Sequence, residues 1–335
     1  MTLLSDSVDV GAHGLRLPRI GLGTASLGNF LGSISDEQAA DTIAGAYRSG
    51  VRYFDTAPLY GHGLAERRLA QGLGAHRADA VISTKVGRLL RADAPRDESQ
   101  YVDGEPFYTD VPDVGPIWDF SYEGVRTSLA ESLDRLGVDH VDILNLHDPD
   151  EHFDVASTTA YQALSDLRAE GTVKGIGAGM NQTPVLTRLV ETCDLDVVLL
   201  AGRYTLLDQS SMDELLPACR RRGTSVIAGG VFNSGVLLDP SEGARFDYAP
   251  AASGVLERAR AIAEVCDRYD VPLGAAAIQF PLAHPEVGSL LIGARSPEEF
   301  QMDLDLLAVP IPGDLWRDLR SAGLLAEDVP TPEGR

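Results

Sequence analysis

Four side chains able to exchange protons lie at the ends of short apolar segments in the first half of the chain. Asp55 ends VRYFD, and Tyr60 follows it after a Thr-Ala-Pro turn. Lys85 ends AVISTK, and His147 ends VDILNLH. Apolar runs of this length are typical of buried strands. If the three strands are parallel neighbours in a barrel, all four side chains lie at one mouth, where barrel enzymes keep their chemistry.

This combination of groups is suited to moving a proton to or from a substrate oxygen. A free phenol has a pKa of about 10, so Tyr60 needs help near neutral pH. We expect the Lys85 ammonium to lower that pKa and Asp55 to keep the buried lysine charged. His147 can hydrogen-bond the substrate oxygen and orient it. None of the four carries a hydride, so redox chemistry would require a cofactor. Taken singly, each residue is more often structural than catalytic, and the spacing alone leaves both interpretations open.

The elements that must position these groups alternate regularly between strand and helix. A capping box, SDEQ at 35–38, begins a helix that Gly50 ends. Eight short strands are predicted in all, which indicates an α/β protein with a (β/α)8 TIM barrel. The predicted strands are 20–23, 51–55, 80–84, 141–145, 173–178, 196–200, 224–228 and 289–292. The predicted helices are 35–49, 63–73, 122–136, 156–170, 184–192, 212–221, 254–269 and 273–282.

One segment, residues 88–119 after the third strand, interrupts the alternation. It is rich in charge, glycine and proline. A loop of this length in a compact barrel is usually functional, so we predict a lid or specificity loop, with a tolerated surface insertion as the alternative. No composition shift or repeat divides the chain, and residues 1–335 are expected to form a single domain.

The composition excludes several classes of function. Hydrophobic residues make up 44% and charged residues 23%, as in ordinary soluble globular proteins. A net charge of −22 argues against nucleic acid and against anionic membrane surfaces. The N-terminus lacks a signal pattern, and no apolar run approaches the ~18 residues of a membrane helix. We therefore expect a cytoplasmic protein with a small-molecule partner.

The cysteines and histidines do not indicate a metal. Cys193, Cys219 and Cys266 are odd in number and include no CxxC spacing, which predicts buried free thiols in a reducing compartment. The histidines around the fourth strand are not at convergent spacing with carboxylates, which disfavours a metal-dependent barrel hydrolase. No metal is expected.

Five motifs in order resemble the aldo-keto reductase superfamily over nearly the whole chain. The resemblance implies a (β/α)8 barrel that binds a nicotinamide dinucleotide, with Asp55, Tyr60, Lys85 and His147 as catalytic tetrad. It also implies that a β-hairpin predicted at 7–19 caps the barrel bottom. The motifs are GLGT at 21–24, FDTA at 54–57 with the following Tyr-Gly, STK at 83–85, SLDRLG at 132–137 and LHD at 146–148.

The resemblance further implies where the cofactor lies, although three positions depart from the family pattern. Asn181 in GMN replaces the usual Ser-Asn and is the expected carboxamide contact. AGRY at 201–204 lacks the usual glutamine. GGVF at 229–232 lacks the usual stacking tyrosine, for which Phe232 is the expected substitute. GIGAG at 175–179 is not a dinucleotide fingerprint and indicates close backbone packing. The expected cofactor contacts are Gly23, Thr24, Asn181, Tyr204, Phe232, Ser234, Gly235, Gly293, Arg295, Glu299 and Asp303.

A narrower resemblance indicates the substrate. AGRYTLLD at 201–208, GGVFNSG at 229–235 and QFPLAHP at 279–285 are similar to a subgroup containing bacterial aldose 1-dehydrogenases and pyridoxal 4-dehydrogenases. It implies oxidation of a cyclic hemiacetal, from an aldose such as L-fucose or D-arabinose or from pyridoxal, to a lactone. Trp118 and Phe120 are the expected substrate walls, with anchoring of the long loop as the alternative role for these aromatic residues. The alternatives are an NADPH-dependent aldehyde or ketone reductase and a non-catalytic NAD(P)-binding sensor or partner subunit.

The segment after the last strand predicts the choice of cofactor. NADPH-dependent relatives grip the 2′-phosphate with basic residues there, whereas GARSPEE at 293–299 has only Arg295. Glu298, Glu299 and Asp303 would repel a phosphate, and an acid there can accept a hydrogen bond from the free ribose hydroxyl. We therefore expect NAD rather than NADP. The alternative is an acidic helix start favoured by the helix dipole.

Overall fold

Eight parallel strands form a closed barrel in the computed structural model, which describes residues 3–102 and 104–332. Each strand pairs with its neighbours in chain order, and the third pairs with the fourth. The predicted (β/α)8 barrel is therefore confirmed. The barrel strands, numbered β1 to β8, are Ile20–Gly23, Tyr53–Asp55, Val81–Val86, Val141–His147, Val173–Met180, Val197–Ala201, Ser225–Gly229 and Val287–Gly293.

Helices connect the strands around the outside of the barrel. A single π turn, Ala156–Ala160, lies between two helical segments after β4. Two helices follow β8, and the sequence reasoning had recognised only the start of the first. The helices are Asp36–Ser49, Leu64–Leu73, Tyr122–Leu136, Phe153–Val155, Tyr161–Ala169, Thr183–Thr192, Leu215–Arg222, Ser253–Asp267, Leu273–Gln279, Pro297–Ala308 and Gly313–Ser321.

Local capping explains why the helix boundaries could be predicted closely. The Ser35 hydroxyl accepts a hydrogen bond from the Gln38 amide at 3.1 Å, and Gly50 ends that helix at a φ of 110°. A residue with positive φ at this position favours glycine, which has no Cβ to clash. Ser121 caps Tyr122–Leu136 in the same way at 3.0 Å.

An N-terminal hairpin closes the bottom of the barrel, as predicted. Ser7–Val10 and Leu15–Pro18 pair antiparallel. Val10, Leu15 and Leu17 are buried against the inward-facing side chains of the barrel strands. The apolar plug excludes water from this end, so the opposite, C-terminal mouth remains as the site for chemistry.

The segment at 88–119 is more ordered than the sequence predicted. Arg88–Arg91 pairs antiparallel with Gly115–Trp118, and Tyr101–Val102 pairs with Glu105–Pro106. A bridge between Phe30 and Tyr108 ties the segment to the loop after β1. These strands are too short and too charged to give an alternating pattern. The segment is thus a ribbon laid beside the barrel mouth.

Among residues 3–102 and 104–332, no helix combines the length and apolar character needed to span a bilayer. The three cysteines are buried and unpaired, as predicted.

Candidate active site

The C-terminal ends of β2, β3 and β4 bring the four predicted catalytic residues together. Asp55 is the last residue of β2, Lys85 the penultimate residue of β3, and His147 the last residue of β4. Tyr60 lies in the turn after β2, where its amide donates to the Ala57 carbonyl at 3.1 Å. The three strands are neighbours in register, so their terminal side chains share one mouth.

Lys85 is the centre of this group, and its ammonium is 1% exposed. Its Nζ donates to Asp55 Oδ2 at 2.6 Å, to the Thr56 carbonyl at 3.0 Å and to Tyr60 Oη at 2.9 Å. A lysine has three N–H donors, so all of them are used. The Ser83 hydroxyl donates to the other Asp55 oxygen at 2.6 Å. The Lys85 ammonium is therefore fixed against the Tyr60 oxygen.

The protonation of Tyr60 differs from the expectation. Burial raises the pKa of Tyr60 well above its usual value, and the Asp55 carboxylate raises it further. The expectation that Lys85 brings the pKa down was based on the ammonium alone and did not include the loss of water. Tyr60 in the resting site is therefore a phenol at neutral pH, with the ammonium positioned to stabilise the charge that develops when the proton leaves.

His147 is neutral in this environment. Burial lowers the pKa of His147 well below its usual value, and the positive charges of Arg88 and Lys85 add to the effect. Its ring meets the Tyr60 ring edge-on, with 5.7 Å between centroids. A neutral imidazole keeps one N–H donor, so it can hold a substrate oxygen next to the phenol without being an acid itself.

A cavity of about 610 Å³ opens above these residues, with Tyr60, Lys85 and His147 in its wall. Asn181, which the sequence predicted as a carboxamide contact, also lines it. So does Trp118, which is 37% exposed. A small ring-shaped substrate and the end of a cofactor fit a space of this size.

Four aromatic rings partly cover the cavity, and sequence reasoning missed them. This aromatic roof consists of Phe30, Phe107, Tyr108 and Tyr248, which come from three different loops. Phe30 lies 5.6 Å from Phe107, 5.3 Å from Tyr108 and 5.2 Å from Tyr248, between ring centroids. Contacts between loops far apart in the chain leave no local pattern that could have identified them.

Tyr248 is held over the mouth by an ion pair between two loops. Arg203, after β6, donates to both oxygens of Asp247 at 2.9 and 2.6 Å. The Tyr248 amide donates to the Ser234 hydroxyl at 3.0 Å. Ser234, predicted as a cofactor contact, thus also anchors the roof.

Two of the predicted site residues are buried and pack against other aromatic rings. Tyr204 is 2% exposed, and its ring stacks on Phe280 at 5.1 Å and meets His284 at 5.2 Å. The Tyr204 ring packs in the hydrophobic core, and its expected cofactor contact stays a prediction. Phe120 is 3% exposed and fills the space beside Gly87, behind Trp118. It anchors the ribbon, and its expected role as a substrate wall stays a prediction.

The remaining predicted cofactor residues lie at the ends of β1 and β8 and in the loops beside them. Gly23 and Gly293 end adjacent strands in register. Thr24 is fully buried, and Phe232 is partly buried. The Arg295 guanidinium donates to the Gly32 carbonyl at 3.0 Å.

Glu299 lies against Arg295, and its charge also acts on the buried Asp303. The Glu299 carboxylate accepts from the Arg295 amide at 2.7 Å. Burial, followed by the negative charge of Glu299, raises the pKa of Asp303 to about 7.

The strand ends are compatible with an extended dinucleotide. A Cβ added at Gly235 would have no atom within 4 Å, and one at Gly293 would have only the Ser26 hydroxyl at 4.0 Å. Such open glycines allow a ligand to approach the backbone closely. The Thr24 hydroxyl is buried without a hydrogen-bond partner in the part of the chain that is described. A dinucleotide bound here would be held by Asn181, Gly235, Gly293 and Thr24.

Comparison with known proteins gives consistent results. The model of the aldo/keto reductase family matches residues 19–323. The chain is 43% identical to a D-threo-aldose 1-dehydrogenase from a Pseudomonas species, over 96% of this chain and 97% of that protein. It is 40% identical to a pyridoxal 4-dehydrogenase from Microbacterium luteolum, over 96% and 98%. The holo form of an aldo-keto reductase from Bacillus halodurans has the same fold, with a TM-score of 0.75, 23% identity and coverage of 97% and 98%.

Proposed function

This chain belongs to the aldo/keto reductase family, whose oxidoreductases use a nicotinamide cofactor, and we propose that it oxidises a cyclic hemiacetal to a lactone with NAD. The two relatives named above are a D-threo-aldose 1-dehydrogenase and a pyridoxal 4-dehydrogenase. Aldoses close into hemiacetals, and pyridoxal closes onto its own hydroxymethyl group. One reaction therefore accounts for both substrate classes.

The observation that carries the proposal is the hydrogen bond from Lys85 to Tyr60 beside a neutral His147. The His147 N–H holds the anomeric oxygen. Tyr60 first releases its own proton to solvent, and the resulting phenolate accepts the hydroxyl proton as the carbon–oxygen double bond forms. Lys85 stabilises the phenolate during this transfer, and its own charge is balanced by Asp55. When bound, the nicotinamide supplies the hydride acceptor for the hydrogen on the same carbon.

The preference for NAD rests on the residues after β8. The Arg295 guanidinium is engaged with the Gly32 carbonyl, and the Glu299 carboxylate lies against the Arg295 amide. A 2′-phosphate at this place would meet a carboxylate, and like charges at short range repel by roughly 1 kcal/mol or more. Free ribose hydroxyls carry no such cost.

A second candidate, an aldehyde or ketone reductase, is favoured by one observation. Burial keeps Tyr60 protonated at neutral pH, as a proton donor to a carbonyl oxygen must be. The same site can work in both directions, and the cofactor and substrate supplied determine which is observed.

The test is the absorbance of the reduced nicotinamide, with NAD or NADP as acceptor and L-fucose, D-arabinose, D-galactose or pyridoxal as substrate. Signal with NAD, accompanied by a lactone in the mass spectrum of the product, is the expected result. Turnover only with NADPH and an aldehyde would replace the proposal by the reductase. Binding of NAD without turnover of any substrate would contradict both and favour a sensor.

A further inference from the structure

The cavity wall contains a buried guanidinium that makes no direct contact in the proposed reaction. Arg88 is 5% exposed and lies at the start of the ribbon after β3. Its Nη2 donates to Asp148 Oδ2 at 3.0 Å, and its Cζ lies 3.9 Å from the centre of the Trp118 ring. Its Nε and Nη1 atoms have no partner among residues 3–102 and 104–332. Buried guanidinium donors without acceptors are costly, so a ligand oxygen is the expected complement.

Acceptors lie in the same wall. Asp148 directly follows His147, Asp150 comes two residues later, and both line the cavity. Asp150 Oδ1 is buried and, in the described part of the chain, accepts no hydrogen bond. Asp148 Oδ2 lies 3.6 Å from His147 Nε2 as well as 3.0 Å from Arg88 Nη2. The residues with the unpaired donors and the unpaired acceptor therefore line the same cavity as His147.

The backbone conformation of Asp148 fixes the direction of its side chain. Its φ is 44°, in the left-handed region that few residues other than glycine adopt. Its amide donates to the Gly179 carbonyl at 3.0 Å, which fixes the turn. Strained backbone of this kind concentrates where a side chain must be aimed at a ligand.

The charge of the wall restricts the ligand. Four carboxylates line the cavity, from Asp97, Asp148, Asp150 and Glu151, together with the cations Arg88 and Lys85. The charge of Lys85 is already balanced by Asp55. An anionic group would be repelled here, whereas a hydroxyl can both accept from a guanidinium and donate to a carboxylate.

We propose that Arg88 and Asp150 bind the ring hydroxyls of the substrate, so that the enzyme selects neutral aldoses over pyridoxal and over sugar phosphates. Arg88 Nε and Nη1 donate to one or two hydroxyls, and Asp150 Oδ1 accepts from a neighbouring one. Asp148 holds Arg88 in place. Aldose hemiacetals carry several ring hydroxyls for these groups, whereas the pyridoxal hemiacetal has a single phenolic hydroxyl besides the reacting one. This inference deepens the proposed function and rests on it.

The test measures kcat and KM for the wild type, Arg88→Met and Asp150→Asn. The substrates are L-fucose, its monodeoxy analogues, D-arabinose 5-phosphate and pyridoxal. Arg91→Met is the matched control, since Arg91 lies on the same ribbon strand and pairs with Glu131 at 2.9 Å. We expect the wild type to prefer L-fucose over at least one deoxy analogue by about tenfold or more. Arg88→Met should raise KM for L-fucose by about ten- to hundredfold and abolish that preference, with pyridoxal changed less than about threefold.

The inference would be overturned if both variants kept the wild-type preference for L-fucose over its deoxy analogues. It would also be overturned if the wild type turned over pyridoxal or D-arabinose 5-phosphate faster than every aldose. If Arg88→Met does not fold, the deoxy preference of Asp150→Asn tests the inference. Asparagine has the same size as aspartate, and NAD binding by this variant shows whether it is folded. Calorimetric titration of L-fucose into the complex with NADH separates the two proposals. If the wild type binds the aldose but does not turn it over, and Arg88→Met weakens that binding, only the proposed function is contradicted. Turnover with an unchanged preference contradicts only this inference.

Discussion

Lys85 donates a hydrogen bond from its Nζ to the Tyr60 Oη at 2.9 Å, with the ammonium enclosed at the end of β3. Because burial raises the pKa of Tyr60 while Lys85 faces its oxygen, the phenol is neutral at rest and its conjugate base is stabilised when formed. The contact with Lys85 thus allows Tyr60 to exist as a phenol or as a phenolate, the two states that proton transfer requires.

The ion pair below Tyr60 should be essential for stability as well as for activity. Asp55→Asn leaves the Lys85 ammonium buried without its carboxylate, so the free energy of unfolding should fall by about 3–5 kcal/mol. Adding Lys85→Met removes the unpaired charge and should restore most of that loss, while activity stays low. Urea unfolding followed by circular dichroism measures the three proteins. A single Asp55→Asn variant as stable as the wild type would contradict this.

The pH dependence should follow Tyr60. Oxidation needs the phenolate, and a raised pKa means that its fraction grows about tenfold per pH unit through the neutral and mildly alkaline range. We expect kcat/KM for oxidation to rise from about pH 7 to about pH 9. Over the same range, kcat/KM for reduction should fall toward the higher pH.

His147 should add no step of its own to that profile. Its pKa is lowered well below the usual value, so the imidazole is neutral throughout the measured range. Initial rates in both directions over this range provide the check. An oxidation rate that declines as the pH rises above 7, or an inflection within this range that His147→Gln removes, would be inconsistent with these assignments.

Glu299 should contribute to the preference for NAD. Glu299→Gln removes a carboxylate beside Arg295, and kcat/KM for NADP should rise about fivefold relative to NAD, corresponding to roughly 1 kcal/mol. Asp305→Asn is the control, because Asp305 lies farther along the same helix and pairs with Gln301 at 2.8 Å. Equal effects of the two substitutions would point to long-range charge and away from a specific site.

The aromatic roof should depend on the ion pair between Arg203 and Asp247. Arg203→Met frees the loop that carries Tyr248, so KM should rise several-fold with little change in kcat. The loop should also be cut faster by trypsin after Arg245. Stability should change by less than about 1 kcal/mol, since the pair is partly exposed. Arg221→Met, which breaks the exposed pair with Glu191, should reproduce neither effect. Unchanged KM and cleavage would show that the roof does not need this pair.

Local sequence patterns were sufficient for the barrel and for the positions of the tetrad. Apolar runs, caps such as Ser35 and helix-ending glycines act within a few residues, so each element could be predicted on its own. The motif positions of Asp55 and Lys85 then followed from parallel strand order.

Properties that depend on distant parts of the chain could not be predicted. Phe30 and Tyr248 meet only after folding, and the direction of the Tyr204 ring depends on Phe280 packing beneath it. The pKa of Tyr60 is a balance between burial and neighbouring charges, and spacing reveals only the charges. For the same reason the unpaired donors of Arg88 became visible only in the folded chain.

The most direct measurement is NADH formation by Tyr60→Phe beside the wild type, with NAD and the best aldose substrate. Tyr122→Phe is the matched control, because its hydroxyl bonds Asp166 at 2.9 Å outside the cavity. We expect Tyr60→Phe to lose roughly 10²–10⁴-fold in kcat while binding NAD with wild-type affinity, and Tyr122→Phe to retain full activity. Wild-type turnover by Tyr60→Phe would contradict the assignment of Tyr60 as the proton acceptor.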